Sequence, residues 1–390
     1  MDVDFSRLDE ALANRGLDGH LLDADATLAD QRYLSGFDAP DPFLTLYTPD
    51  RTALLVSSME YGRARVESRA DDVRQFPDYD RRDLDDEYGS KGGRARAIVA
   101  FLEEFDVTSV STNARFPLET ADNLRDLGVR VEPDSADAVE RTRAVKTETE
   151  IASIQEAQRA NEAAMAEAER LIAEATVEDG VLQADGEPLT SERVRRAIET
   201  TLLEHGCALD ETIVASGTDA AVPHDRGSGP IHVDDPVIVD IFPRDKTTRY
   251  HSDMTRTFLR GTPSDEVAEF HELTRAAKAA ALDAVEPGVT GEAVHDAACE
   301  VYEAAGYPTL RTDEGTDRGY IHSTGHGVGL EVHERPRIGR NGEELEPGHV
   351  ITIEPGLYDP AIGGVRIEDI VVVTADGYEN LTDYPEDLVV

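Results

Sequence analysis

Five residues in the second half of the chain pair reactive side chains with positions that could hold them rigidly: Asp240, Asp253, His326, Glu354 and Glu368. Asp240 interrupts the apolar run Val237-Ile238-Val239-Asp240-Ile241-Phe242, Asp253 precedes Met254-Thr255-Arg256-Thr257-Phe258, and Glu368 lies in Val365-Arg366-Ile367-Glu368-Asp369. A carboxylate on a buried strand is costly unless it is paired or bound to a cation, and several together repel one another unless metal charge compensates them. In a chain with 81 acidic residues, any one of these acids alone reads as structural; the set points to metal. His326 sits in Gly325-His326-Gly327-Val328-Gly329, where small neighbours allow close approach and the imidazole offers a neutral ligand. Glu354 closes the run Val350-Ile351-Thr352-Ile353, and Pro355-Gly356 turns the chain just after it. One histidine with four carboxylates is an oxygen-rich donor set that suits Mn²⁺ or Co²⁺, with Fe²⁺ and Zn²⁺ as alternatives. It is too acidic for one ion, so two divalent ions roughly 3.5–4 Å apart should share bridging carboxylates.

The elements that must position these residues are legible from period and punctuation. Alternating helical segments (Phe5 to Arg15, Arg94 to Phe105, Leu118 to Leu127) and short apolar strands such as Leu54-Leu55-Val56 predict a small α/β domain at residues 1–140. The polar stretch from Glu132 to Lys146 then leads into Thr147-Glu148-Thr149-Glu150, a capping box that should open a long helix to about Ala175. Residues 141–390 form the second domain. Its helices at Ser191 to His205, Ser264 to Val285 and Gly291 to Ala305 should stop near Gly206, Pro287-Gly288 and Gly306. Two blocks in succession thus read as helices followed by strands, which predicts an internally duplicated α+β fold without a visible sequence repeat.

Length and composition bound the rest. A chain of 390 residues exceeds what one hydrophobic core usually serves, and 39% apolar residues can fill two. A net charge of -43 repels nucleic acid phosphates and anionic lipid, so neither is an expected partner. Only four basic residues are lysines (Lys91, Lys146, Lys246 and Lys278), and a carboxylate-rich, lysine-poor surface fits a protein kept soluble in concentrated salt. Cys207 and Cys299 are too few for a disulfide framework or a thiolate zinc site, which suits a reducing compartment. Acidic residues within Met1 to Glu10 and the lack of any span of about 20 apolar residues predict a cytoplasmic protein.

Six segments, taken in order, carry a resemblance: Val222-Pro223-His224, Val237 to Asp240, Tyr250-His251-Ser252-Asp253-Met254-Thr255-Arg256-Thr257, His322 to Glu334, Ile353-Glu354-Pro355-Gly356 and Gly364 to Asp369. Over nearly its whole length the chain resembles the pita-bread fold metallopeptidases, in their Xaa-Pro aminopeptidase and prolidase branch. The resemblance implies a creatinase-like N-terminal domain, a pita-bread catalytic domain with pseudo-twofold duplication, and a homodimer. It also implies that Asp240 binds one metal, that Asp253 and Glu368 bridge both, and that His326 and Glu354 complete the other shell. His224, His322 and His333 match histidines the family places around the scissile bond, and Arg366 matches a position that buttresses carboxylates or the substrate terminus. Each of these four alone would pass for an ordinary core or surface residue. The chain departs from the family pattern between Asp240 and Asp253, which lie two residues further apart than is customary, so a longer hairpin is expected there.

The implied reaction is hydrolysis of short proline-containing peptides, with Glu354 taking a proton from water, His333 steadying the carbonyl oxygen, and His224 and His322 positioning substrate or shuttling a proton. The motifs do not separate an Xaa-Pro aminopeptidase, the reading preferred here, from an Xaa-Pro dipeptidase. A methionine aminopeptidase would lack such an N-terminal domain, and a metal-free creatinase-like hydrolase or a non-enzymatic peptide-binding homologue would have lost ligands that are all present here.

Overall fold

The computed structural model describes residues 3–209 and 211–390, so the 1–140 domain begins on two residues, Met1 and Asp2, outside the described ones. The described residues separate into two compact units that meet in sequence between Arg143 and Ala144. A helix at Ala138–Ala144 occupies the stretch expected to be only a polar connection.

The N-terminal unit is built on a six-stranded sheet, ordered Asp72–Gln75, Arg51–Val56, Phe43–Thr48, Gly19–Ala24, Ser109–Thr112 and Arg130–Pro133. The two pairings of Phe43–Thr48 are antiparallel, and the other three pairings are parallel. Leu55 packs on one face with Leu44, Leu46, Ile98 and Phe101, while Leu54 and Val56 pack on the other with Phe37 and Phe43. Burial of both faces explains why Leu54-Leu55-Val56 shows no polar alternation. The helix expected at Arg94 to Phe105 is longer, Arg81–Glu104, with a break at Gly89 (φ 75°) that period alone did not reveal.

His20, on the second strand position of Gly19–Ala24, is fully buried; its Nδ1 lies 2.8 Å from Ser111 Oγ and its Nε2 has no hydrogen-bond partner among the described residues. Burial lowers its pKa from the usual 6.5, against the opposing pull of Asp134 and Asp30. The folded chain therefore holds His20 neutral where the unfolded chain would take a proton. That contribution to stability is complete above pH 6.5 and lost as pH falls below it toward the folded pKa. Thermal unfolding of the full chain at pH 7.5 and 5.5 should thus show a loss on acidification that His20→Leu reduces; equal losses in both proteins would refute this.

The second unit repeats one plan twice. Helices Glu148–Ala173 and Ser191–Glu204 cover one face of the antiparallel strands Thr212–Ser216, Val237–Ile241 and Met254–Phe258. Helices Asp265–Asp283 and Gly291–Ala304 cover a five-stranded sheet ordered Glu334–Ile338, Gly325–Gly327, Val350–Ile353, Asp369–Thr374 and Gly377–Asn380. The capping box forms: Thr147 N–H donates to Glu150 Oε2 (2.8 Å), and Glu150 N–H donates to Thr147 Oγ1 (3.4 Å). Gly206 and Gly306, at φ 77° and 89°, lie just past two of the helices, in the left-handed conformation that suits a helix stop.

Side-chain alternation decides what faces what. Val237, Val239 and Ile241 pack under the first helix pair, so Ile238 and Asp240 point the other way. Ile351, Ile353, Val371 and Val373 pack under the second pair, which sends Thr352 and Ile370 to the opposite face and aims Glu354 and Glu368 with them. Asp253 shares its parity with Thr255 and Thr257, whereas Met254 and Phe258 join the helix side. The strand period therefore gathers four carboxylates on the faces that the helices leave free.

Candidate metal centre

Asp253, His326 and Glu368 offer ligand atoms that all lie within 4.8 Å of one another, the one such group among the described residues. His326 Nε2 is 3.7 Å from Asp253 Oδ2 and 3.4 Å from Glu354 Oε1. Its Nδ1 lies 3.1 Å from the carbonyl of Gly327 and can only donate there, so Nε2 carries the lone pair toward the carboxylates. Burial, aided by His333, lowers the His326 pKa to about 3 and keeps that lone pair available.

The backbone around His326 runs too close to its neighbours for side chains. A Cβ on Gly325 would sit 2.0 Å from the carbonyl oxygen of Thr352, and one on Gly327 would sit 2.0 Å from that of Arg335. These glycines let the His326 strand pair on both sides while the imidazole projects between the carboxylates.

The acids are held but poorly neutralised. Burial and then the charges of Glu368, Asp240 and Glu354 push the Asp253 pKa well above its ordinary value. Burial, Glu354 and Asp240 do the same for Glu368. Glu354 is raised to about 7, chiefly by burial and against the pull of Arg366. Thr255 Oγ1 donates to Glu368 Oε2 at 2.8 Å, and Arg366 reaches Asp240 Oδ2 at 2.5 Å. Asp240 Oδ1 is buried with no donor among the described residues. Four converging carboxylates, one neutral imidazole lone pair and an unserved carboxylate oxygen fit a site for divalent cations.

The expected peripheral residues separate into two groups. His322 and Arg366 are tied together through Tyr358: Arg366 Nη1 donates to the Tyr358 hydroxyl (3.1 Å), which lies 2.9 Å from His322 Nε2. His322 Nδ1 lies 2.8 Å from the carbonyl of Ser323, so Nε2 is the acceptor and the chain runs Arg366 to Tyr358 to His322. Burial and then Arg366 lower His322 to about 3, in keeping with a neutral ring engaged at both nitrogens. His333 and His224 instead open to solvent. The His333 ring stands edge-on to His326 with centroids 4.2 Å apart, and His224 follows Pro223, whose carbonyl accepts from Arg366 Nη1 at 3.4 Å.

Tyr358 and Thr255 are the residues that sequence reasoning passed over. Thr255 could have been found by alternation from Asp253; nothing about Gly356-Leu357-Tyr358-Asp359 distinguishes Tyr358 from a core tyrosine. Between Asp240 and Asp253, where a longer hairpin is expected, the chain turns beyond the paired strands. Asp245 N–H donates to the Tyr250 carbonyl (3.0 Å), and Asp245 Oδ1 accepts from Thr247 and Thr248, while the register Asp240 opposite Thr255 is kept.

Comparisons with known proteins bear on both units. The model for metallopeptidase family M24 matches residues 152–375, and that for the creatinase/prolidase N-terminal domain matches residues 5–145. The Xaa-Pro dipeptidase of Pyrococcus furiosus is 41% identical over 180 residues, 46% of this chain and 49% of that protein. The chain thus matches about half the length of this curated relative. The prolidase structure from Pyrococcus horikoshii OT3 aligns with a TM-score of 0.78 at 28% identity, covering 98% of this chain and 99% of that one. The X-Pro aminopeptidase structure from Thermotoga maritima MSB8 aligns with a TM-score of 0.77 at 27% identity, over 99% of both chains. These full-length likenesses establish the expected fold, an α/β domain followed by a pita-bread domain.

Proposed function

Because the chain belongs to metallopeptidase family M24, we propose that it hydrolyses the bond before proline in short peptides, using Asp240, Asp253, His326, Glu354 and Glu368 as ligands for two divalent ions. The observation that carries this reading is the meeting of Asp253, His326 and Glu368 within 4.8 Å, with Glu354 beside His326 and Asp240 held by Arg366. In it, Asp240 would hold one ion, Asp253 and Glu368 both, and His326 and Glu354 the other. When bound, such a pair supplies Lewis acidity, lowering the pKa of water and polarising a peptide carbonyl.

The chain's own groups do the rest. Glu354 accepts the proton from the attacking water and returns it to the proline nitrogen as the carbon–nitrogen bond breaks. His333, exposed beside His326, donates to the oxygen of the carbonyl as it gains charge. His224, at the solvent side, orients the peptide, while Arg366, Tyr358 and His322 hold Asp240 and the wall of the site in place. Mn²⁺ or Co²⁺, a homodimer, and a salt-rich cytoplasm suited to the acidic, lysine-poor surface belong to the same reading. So does a division in which residues 1–140 form a creatinase-like domain and residues 141–390 carry the chemistry.

Dipeptides are favoured as substrates, since the curated relatives from Pyrococcus and Lactobacillus are named Xaa-Pro dipeptidase. The aminopeptidase reading draws on the Thermotoga maritima likeness. Cleavage of an Xaa-Pro dipeptide and an Xaa-Pro-Yaa tripeptide by the Mn²⁺-loaded protein in concentrated KCl decides between them. A kcat/KM at least tenfold higher on the dipeptide is expected; the reverse preference would restore the aminopeptidase, and cleavage of peptides lacking proline would remove both.

A further inference from the structure

Directly behind the ligand face lies a second group of charges that the proposed chemistry does not use. Arg256 alternates with Thr255 and so points to the helix side, where its side chain is 2% exposed. All five of its N–H groups are engaged. Nε donates to the Pro385 carbonyl (2.8 Å), Nη1 to those of Thr255 (2.9 Å) and Glu368 (2.6 Å), and Nη2 to Asp369 Oδ1 (2.9 Å) and the Tyr384 carbonyl (2.9 Å). Asp369 Oδ2 accepts from Lys278 Nζ (2.5 Å) and Asn380 Nδ2 (2.9 Å), and Lys278 also reaches Glu386 Oε1 (2.5 Å).

Two features set this group apart from ordinary packing. Buried ion pairs are a weak source of stability, and apolar residues of similar volume often serve a fold as well or better. The chain has only four lysines, yet it spends one of them, Lys278, on a site where its side chain is 4% exposed. What these charges do hold is position. The guanidinium joins the main chains of Thr255 and Glu368, and the same two residues meet again through Glu368 N–H to the Thr255 carbonyl (3.0 Å) and Thr255 Oγ1 to Glu368 Oε2 (2.8 Å).

We propose that Arg256, Asp369 and Lys278 are positioning residues that fix the Glu368 carboxylate where two divalent ions can share it. The inference rests on the metal reading above and adds residues that touch neither ion nor peptide. A lysine at 256 keeps the charge but cannot span five acceptors, so Glu368 gains freedom and the shared geometry is lost.

Calorimetric titration of Mn²⁺ into metal-stripped full chain, alongside circular dichroism and thermal unfolding, tests it in wild type, Arg256→Lys and Asp369→Asn. The expected result is a folded variant in which both ions, since they share Glu368, bind about 10–100-fold more weakly. The turnover number kcat falls with little change in KM. Asp369→Asn is isosteric but has one acceptor oxygen where Asp369 uses two, one for Arg256 Nη2 and one for Lys278 Nζ and Asn380 Nδ2, so it breaks one side of the network without added bulk and keeps the question open to measurement if Arg256→Lys fails to fold. Unchanged affinities for both ions in whichever variant folds, even with a lower unfolding temperature, would overturn the inference. If wild type itself binds no ion, it is the metal reading that falls.

Discussion

Replacing Glu354 with glutamine is expected to lower kcat for cleavage before proline by about 10²–10⁴-fold, the range associated with losing a positioned general base. The amide keeps the size of the side chain and leaves an oxygen near His326 Nε2, which lies 3.4 Å from Glu354 Oε1. It cannot take a proton. The protein should stay folded, because the main chain of Glu354 is held independently by its N–H to the Thr324 carbonyl (2.8 Å). Steady-state kinetics and a metal titration on the same preparation separate the two jobs of this residue. Loss of kcat with ions still bound supports the proton-accepting role; full turnover in the variant would remove it.

The second large effect is expected at a residue with no reactive group. Gly327→Ala would place a methyl carbon 2.0 Å from the carbonyl oxygen and 2.3 Å from the carbonyl carbon of Arg335. Both are main-chain atoms within a paired strand, so no side-chain rotation relieves the contact. The strand must shift, and it carries His326. A destabilisation of roughly 3 kcal/mol or more is expected, at the upper end for a single substitution. Soluble variant should bind metal poorly. The measurement is the unfolding temperature in concentrated KCl; a wild-type value together with normal metal binding would show that the strands have more room than this geometry allows.

The contrast between these two residues shows what could be read in advance. Carboxylates on apolar strands are legible because their burial is costly without a partner, so Asp240, Asp253 and Glu368 stand out against their neighbours even in a chain with 81 acids. His326 stands out by its glycines. The helices that cover the sheets were legible through period and caps, Thr147 and Glu150 above all. Short elements were not: the helix Tyr61–Glu67 has a single buried residue, Ala64, too little for a period to show.

Tyr358 and Lys278 were hidden for another reason. Their partners come from other elements, at His322 and Arg366 for one and at Asp369 and Glu386 for the other. A buried charge whose partner comes from another element leaves no local pattern. Lys278 on its helix reads as one more polar position, and Arg256 reads as a charged residue in a short strand. Only the alternation of that strand, once its helix face is known, shows that Arg256 must be buried.

The most direct test of the account is to strip the full chain of metal in concentrated KCl and add Mn²⁺ stepwise, measuring ions bound per chain and cleavage of an Xaa-Pro dipeptide in the same samples. The account predicts no cleavage before addition, two ions bound at saturation, and activity that returns as they bind. Undiminished cleavage by the stripped chain, or saturation with ions that leaves the dipeptide intact, would contradict it.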